Sequence, residues 1–119
     1  MINLLLVGLG GFIGSVARYL FGQIPVFQSL AFPVSTLMIN FVGSLFIGMI
    51  SSLTPDFRLN LFFKIGLCGG FTTFSTFSLE IFNMIESGKI LPAGIYCFLS
   101  IALSLIGVFL GFKMLTIFN

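Results

Sequence analysis

Between Gly69 and Glu80 the chain reads Gly-Gly-Phe-Thr-Thr-Phe-Ser-Thr-Phe-Ser-Leu-Glu. Five hydroxyl side chains and three phenylalanines, at 71, 74 and 77, fall in a run without charge between Lys64 and Glu80. Hydroxyls donate hydrogen bonds and a Phe ring presents a weakly positive edge, so such residues suit a small anion. Backbone carbonyls freed at Gly69-Gly70 would instead suit a hard cation. Gly in a helix interior costs about 1 kcal/mol against Ala, and Ser and Thr offer the backbone an alternative to the helical ladder. The stretch is therefore predicted to be a discontinuous helix with its carbonyls and hydroxyls turned toward something polar. Broken backbone at membrane depth persists only where it is buried in protein or lines a wet cavity. The alternative is an intact helix packed through its small residues, with Phe toward lipid.

Other polar residues recur at helical spacing. Thr36, Asn40, Ser44 and Gly48 fall four apart, on one face. A mid-span carboxamide is costly unless satisfied, so Asn40 is predicted to face protein, either bonding another helix (about 0.6–2 kcal/mol) or donating to a passing ion. Tyr96, Ser100 and Ser104 make a second stripe, a candidate polar track. Arg18 closes the first apolar run, either snorkelling to the interface or facing an aqueous vestibule where it attracts anions. The chain has no His, and no two carboxylates share a predicted span, so nothing resembles a catalytic constellation and an enzyme is not expected. Cys68 and Cys97 lie in apolar runs without metal-ligand spacing and read as small hydrophobes. Gly8 to Gly14 suggests a dinucleotide fingerprint but fails its spacing at Ile13 and follows no strand. Nothing points to nucleic acid.

These residues need membrane helices to position them. The chain is 58% hydrophobic and 7% charged, with mean hydropathy +1.23 over 119 residues, whereas a soluble domain is about 25% charged. A span takes roughly 20 apolar residues. The reading is an all-α, polytopic protein, a single four-helix transmembrane domain over residues 1–119. Span one is predicted over about 2–21, with Gly10/Gly14 and Gly11/Ser15 allowing another helix to approach closely. The Met1-Ile2-Asn3 start has no basic region, so this span is expected to be retained. A short loop over 23–31 precedes span two, about 32–53, with Pro33 in its first turn. Thr54 to Lys64 is predicted as a connection, about 62–85 as span three, Glu86 to Lys89 as a tight turn, and the run between Lys89 and Lys113 as span four. With the N-terminus inside, Arg58, Lys64 and Lys113 face Arg18 and Lys89 across the membrane. That balance gives the positive-inside rule little to act on. The chain also lacks an internal repeat, and two antiparallel copies would supply the inverted symmetry that transporters often carry in one chain.

The string over 69–78 resembles the signature of the Fluc (CrcB) fluoride channels. The glycine-rich first span ending in Arg18, the run Asn40-Phe41-Val42-Gly43-Ser44 and the Tyr96/Ser100/Ser104 ladder agree with it. The resemblance covers essentially the whole chain. It implies an antiparallel dual-topology homodimer in the plasma membrane with two pores for passive fluoride efflux. It further implies a structural Na⁺ at the dimer centre, held by the carbonyls of Gly69 and Thr72. Phe74 and Phe77 would line the pores, Asn40 would face them, and Arg18 would sit in the vestibule. Ser75, Thr76, Glu80, Tyr96, Ser100 and Ser104 would belong to the polar track and its surroundings. Two other classes stay open, a small dual-topology proton-coupled exporter and a non-transporting membrane scaffold. The exporter would want a carboxylate in an early span, and spans one and two have none.

The charge balance predicts that C-terminal reporter fusions are active on both sides of the membrane. A reporter active on one side only would refute dual insertion. Two or three added Lys in one loop should bias the outcome.

Overall fold

The computed structural model describes residues 1–53 and 56–118. The described residues form helices α1 (Ile2–Gly22), α2 (Pro25–Gln28), α3 (Val34–Ser52), α4 (Phe57–Asn60), a π-helical stretch (Leu61–Cys68), α5 (Gly69–Phe71), α6 (Ser75–Glu86) and α7 (Ile90–Phe118). α4 through α6 make up the third of four segments long and apolar enough to cross a bilayer. The longest dimension, 47 Å, matches the roughly 40–45 Å of a bilayer with its headgroups.

The termini of these helices follow local chemistry. Asp56 caps α4, its Oδ1 accepting the Leu59 N–H at 2.9 Å. The third span therefore begins at Phe57, not near residue 62 as predicted, and Lys64 lies inside it rather than in a connection. Thr54 and Pro55 of the predicted connection lie outside the described residues. Pro33 stands just before α3 as its N-cap, not within its first turn. The predicted loop over 23–31 contains the short helix α2, started by Pro25. At the end of α6 the Lys89 N–H donates to the Met84 carbonyl and the Gly88 N–H to that of Ile85. Gly88 sits at φ 80°, so this turn is a Schellman motif, whose left-handed position favours glycine.

Packing divides into two close helix pairs. α1 lies on the first half of span three, where a Cβ on Gly10 would collide with the Phe62 carbonyl and one on Gly14 with that of Leu67. The approach is mutual, since a Cβ on Gly70 would come within 2.7 Å of the Gly11 carbonyl. α3 lies on α7 in the same way, Gly48 facing the Val108 carbonyl and Gly111 that of Leu45. With no water to expel inside a bilayer, helices associate by such close packing. A small core of Leu37, Phe77 and Tyr96 joins the second half of span three to α3 and α7.

Gly14→Ala should therefore overpack the α1 contact and destabilise the fold by about 1–3 kcal/mol. Gly8→Ala, where an added Cβ meets nothing within 4 Å, should be silent. Thermal unfolding of the purified protein in detergent distinguishes them, and equal melting temperatures would refute the packing assignment.

Candidate functional site: the interrupted third span

Gly69 and Gly70 are helical, so the backbone does not leave the helix at the glycine pair as the sequence predicts. It leaves three residues later. Thr72 is extended (φ −79°, ψ 160°), and the helix resumes at Ser75. Gly70 serves instead to bring the chain against α1, whereas a Cβ on Gly69 would meet only the Lys64 carbonyl, at 3.8 Å.

Side chains from two other helices hold the interruption. The Asn40 carboxamide pairs with both backbone groups of Thr73. Its Nδ2 donates to the Thr73 carbonyl at 3.0 Å, and its Oδ1 accepts the Thr73 N–H at 2.9 Å. Arg18 Nε donates to the Gly70 carbonyl at 3.1 Å. Thr73 Oγ1, just before the N-cap Phe74, accepts the Thr76 N–H at 3.2 Å and so satisfies a donor in the first turn of α6. Thr72 Oγ1 turns back to the Cys68 carbonyl at 2.8 Å.

These bonds divert donors from the helical ladder. The Thr73 N–H would ordinarily reach the Gly69 carbonyl, four residues back, and the Thr76 N–H that of Thr72. Both are taken by side-chain oxygens. Among the described residues no hydrogen bond reaches the Gly69 or Thr72 carbonyl. Two neutral oxygens are left able to ligate a hard cation. No cluster of three or more His, Cys, Asp or Glu side chains offers a metal site among the described residues.

Two clefts meet at Thr73. One, about 460 Å³, is lined by Asn40, Ser44, Lys64, Gly69, Thr72, Thr73, Phe74, Phe77, Ser100 and Ser104 among others. No carboxylate lines it. The other, about 420 Å³, is lined by Arg18, Ser35, Thr36, Thr73 and Thr76 among others. The first cleft thus collects Asn40, both phenylalanines, two serines of the α7 stripe and both carbonyl-bearing residues. Arg18 and Thr76 open on the second. Ser75 is exposed beside Thr73, their hydroxyl oxygens 3.3 Å apart.

The two phenylalanines differ. Phe77 is 6% exposed and packs on Tyr96, ring centroids 5.2 Å apart, whereas Phe74 is 78% exposed and stands 5.5 Å from Phe77. Tyr96 is fully buried and lies outside both linings. Its hydroxyl donates to Glu80 Oε2 at 3.1 Å, while Thr36 Oγ1 donates to Glu80 Oε1. Two residues of the separate polar stripes are thus joined through one carboxylate. Sequence reasoning singled out Thr36, Glu80 and Tyr96 without joining them, and it missed Thr73 and Lys64. Asp56 was the available signal for Lys64, since an N-cap there places the helix start at residue 57.

The chain matches the family model described as CrcB-like protein, Camphor Resistance (CrcB), over residues 5–112. It is 47% identical to the fluoride-specific ion channel FluC of Ruminiclostridium cellulolyticum, covering 97% of this chain and 92% of that protein. It is 44% identical to the protein of the same name from Elusimicrobium minutum (91% and 89% covered). The protein of that name from Chlorobium chlorochromatii is 41% identical (92% and 88% covered).

Asn40→Ala should strand both backbone groups of Thr73, each at about 1–3 kcal/mol if left unsatisfied. Amide exchange at Thr73 should accelerate at least tenfold while amides in α1 are unchanged. Unaltered exchange at Thr73 would show that the carboxamide does not hold the interruption.

Proposed function

This chain belongs to the CrcB-like protein family, and from that premise we propose that it is a fluoride-specific ion channel, giving passive efflux of fluoride across the plasma membrane and lowering cytoplasmic fluoride. It is a multi-pass membrane protein of four apolar helices. The observation that carries the reading is the cleft where Asn40, Ser100, Ser104 and the phenylalanines converge without a carboxylate. A small anion entering a narrow path must exchange its water for other donors. One Asn40 N–H is committed to Thr73 and the second is free to donate. The hydroxyls add conventional donors, and the ring edges of Phe74 and Phe77 add a weaker positive surface.

The working unit in this reading is an antiparallel, dual-topology homodimer with two pores. Phe74 supports it, because an aromatic ring 78% exposed on the lining of the first cleft is well placed to meet a second copy. Na⁺ at the centre would be held by the carbonyls of Gly69 and Thr72 from each chain. The lack of any hydrogen bond to these two oxygens among the described residues fits that role. The ion would supply fixed positive charge at the crossing and would not itself move. Thr72→Ala should preserve the site, since the ligand is a backbone oxygen. Arg18 lies in the second cleft, with Nε on Gly70 and the rest of its guanidinium left to attract anions.

The ring-edge role is separable from packing. In Phe74→Ile and Phe77→Ile an apolar side chain remains and the edge is lost. Fluoride efflux from proteoliposomes should fall at least tenfold while the purified protein elutes as an intact dimer. Full flux in the intact double mutant would remove the ring edges from the mechanism. Absence of fluoride flux in the unaltered protein would refute the function itself.

A further inference from the structure

Lys64 is a charged residue inside an apolar span. It lies seven residues after the start of α4, about 10 Å along the helix. An ionised side chain within a membrane segment needs water, a partner or a functional reason. Among the described residues, no ion pair or hydrogen bond engages the Lys64 ammonium. Lys64 lines the 460 Å³ cleft together with Ser100. Ser100 is 6% exposed, and its buried hydroxyl lies beside that of Tyr96 without a hydrogen bond of good geometry. A buried hydroxyl left in this way is costly, and here it belongs to the same cavity as an unpaired cation. Both deficits are met by one kind of ligand, a small anion that accepts from the hydroxyl and is attracted by the ammonium.

We propose that Lys64 supplies the first cleft with an anion-recruiting charge, drawing fluoride from solution toward the Ser100 hydroxyl that the fluoride-channel reading already counts among its donors. This role rests on that reading and adds a second positive residue to the path. Arg18 serves the cleft on one side of Thr73, and Lys64 serves the cleft on the other. A solvated lysine that merely snorkels to the headgroups would contribute neither to affinity nor to rate.

Fluoride efflux from proteoliposomes tests this with the full-length protein, Lys64→Met, Lys64→Arg and Ser100→Ala. At about 10 mM ionic strength, where the Debye length is roughly 30 Å, Lys64→Met should lose at least tenfold in flux. Near 1 M, where it is roughly 3 Å, the difference should shrink to about twofold. Lys64→Arg should stay within twofold throughout. Ser100→Ala should raise the half-saturating fluoride concentration at least fivefold at either ionic strength. If Lys64→Met does not elute as folded protein, Lys64→Gln takes its place with the same expectation. Flux in Lys64→Met or Lys64→Gln equal to the unaltered protein at low ionic strength overturns the proposal. So does an equal loss in Lys64→Arg and Lys64→Met at every ionic strength, which marks a packing role. In these outcomes the unaltered protein still conducts fluoride, and the channel reading stands. No flux in the unaltered protein would remove that reading and the role of Lys64 with it.

Discussion

The structure depends on one side chain pairing with one peptide unit. Asn40 gives Thr73 what a neighbouring strand would give it, a donor for its carbonyl and an acceptor for its N–H. Without that pairing, Thr73 would either rejoin the helical ladder or leave two polar groups stranded in a low-dielectric span. Each satisfied bond contributes only about 0.5–1.5 kcal/mol net, but each unsatisfied group costs about 1–3. The carboxamide is thus less a source of stability than a condition for the interruption. The rest follows from it. The Thr73 N–H turns to Asn40, the Gly69 carbonyl loses its donor, and the two clefts meet at the residue so held.

The close helix pairs make this pairing possible. Asn40 is a short side chain and reaches Thr73 only if α3 lies against the interruption. Gly43, one turn on, permits this, because a Cβ there would collide with the Thr72 methyl. On the opposite side Gly11 and Gly70 let α1 come close enough for Arg18 to reach the Gly70 carbonyl. Small residues and polar clamps therefore act together. The glycines set the distance, and the carboxamide and guanidinium then satisfy the backbone exposed at that distance.

The helical architecture was legible because it depends on composition. Apolar runs of the right length mark four spans whatever their neighbours do, and Gly10 and Gly14 announce a close contact through their size alone. The site was legible in membership more than in geometry. Asn40, Ser44, Ser100 and Ser104 stand out as polar residues at helical spacing, and all four line the first cleft. The position of the interruption was not legible. Gly69-Gly70 carries the strongest local signal, yet glycine permits an irregular backbone without requiring it. What requires it is a partner 33 residues away in sequence, and single-chain propensity carries no such term. Lys64 was misplaced for a related reason. Its charge was read as the edge of the span, whereas the helix runs outward past it to the cap at Asp56.

Glu80 sharpens what an anion path requires of its surroundings. A free carboxylate beside the path would repel the ion it should pass. Glu80 is not free, because Thr36 donates to one oxygen and Tyr96 to the other. The two hydroxyls direct their protons into the carboxylate and away from the clefts. Tyr96 therefore spends its donor on Glu80, and Ser100, one turn further along α7, keeps its own. The stripe that looks uniform in sequence is divided by function of position. Tyr96 binds and orients the Glu80 carboxylate, and the buried Ser100 holds a donor with nothing yet to give it to. A ligand for that donor must be small enough for the cleft and must accept a hydrogen bond without bringing a hydrogen of its own. Under the proposed channel function a halide of fluoride's size meets both conditions, whereas a cation, however small, cannot accept the hydrogen bond.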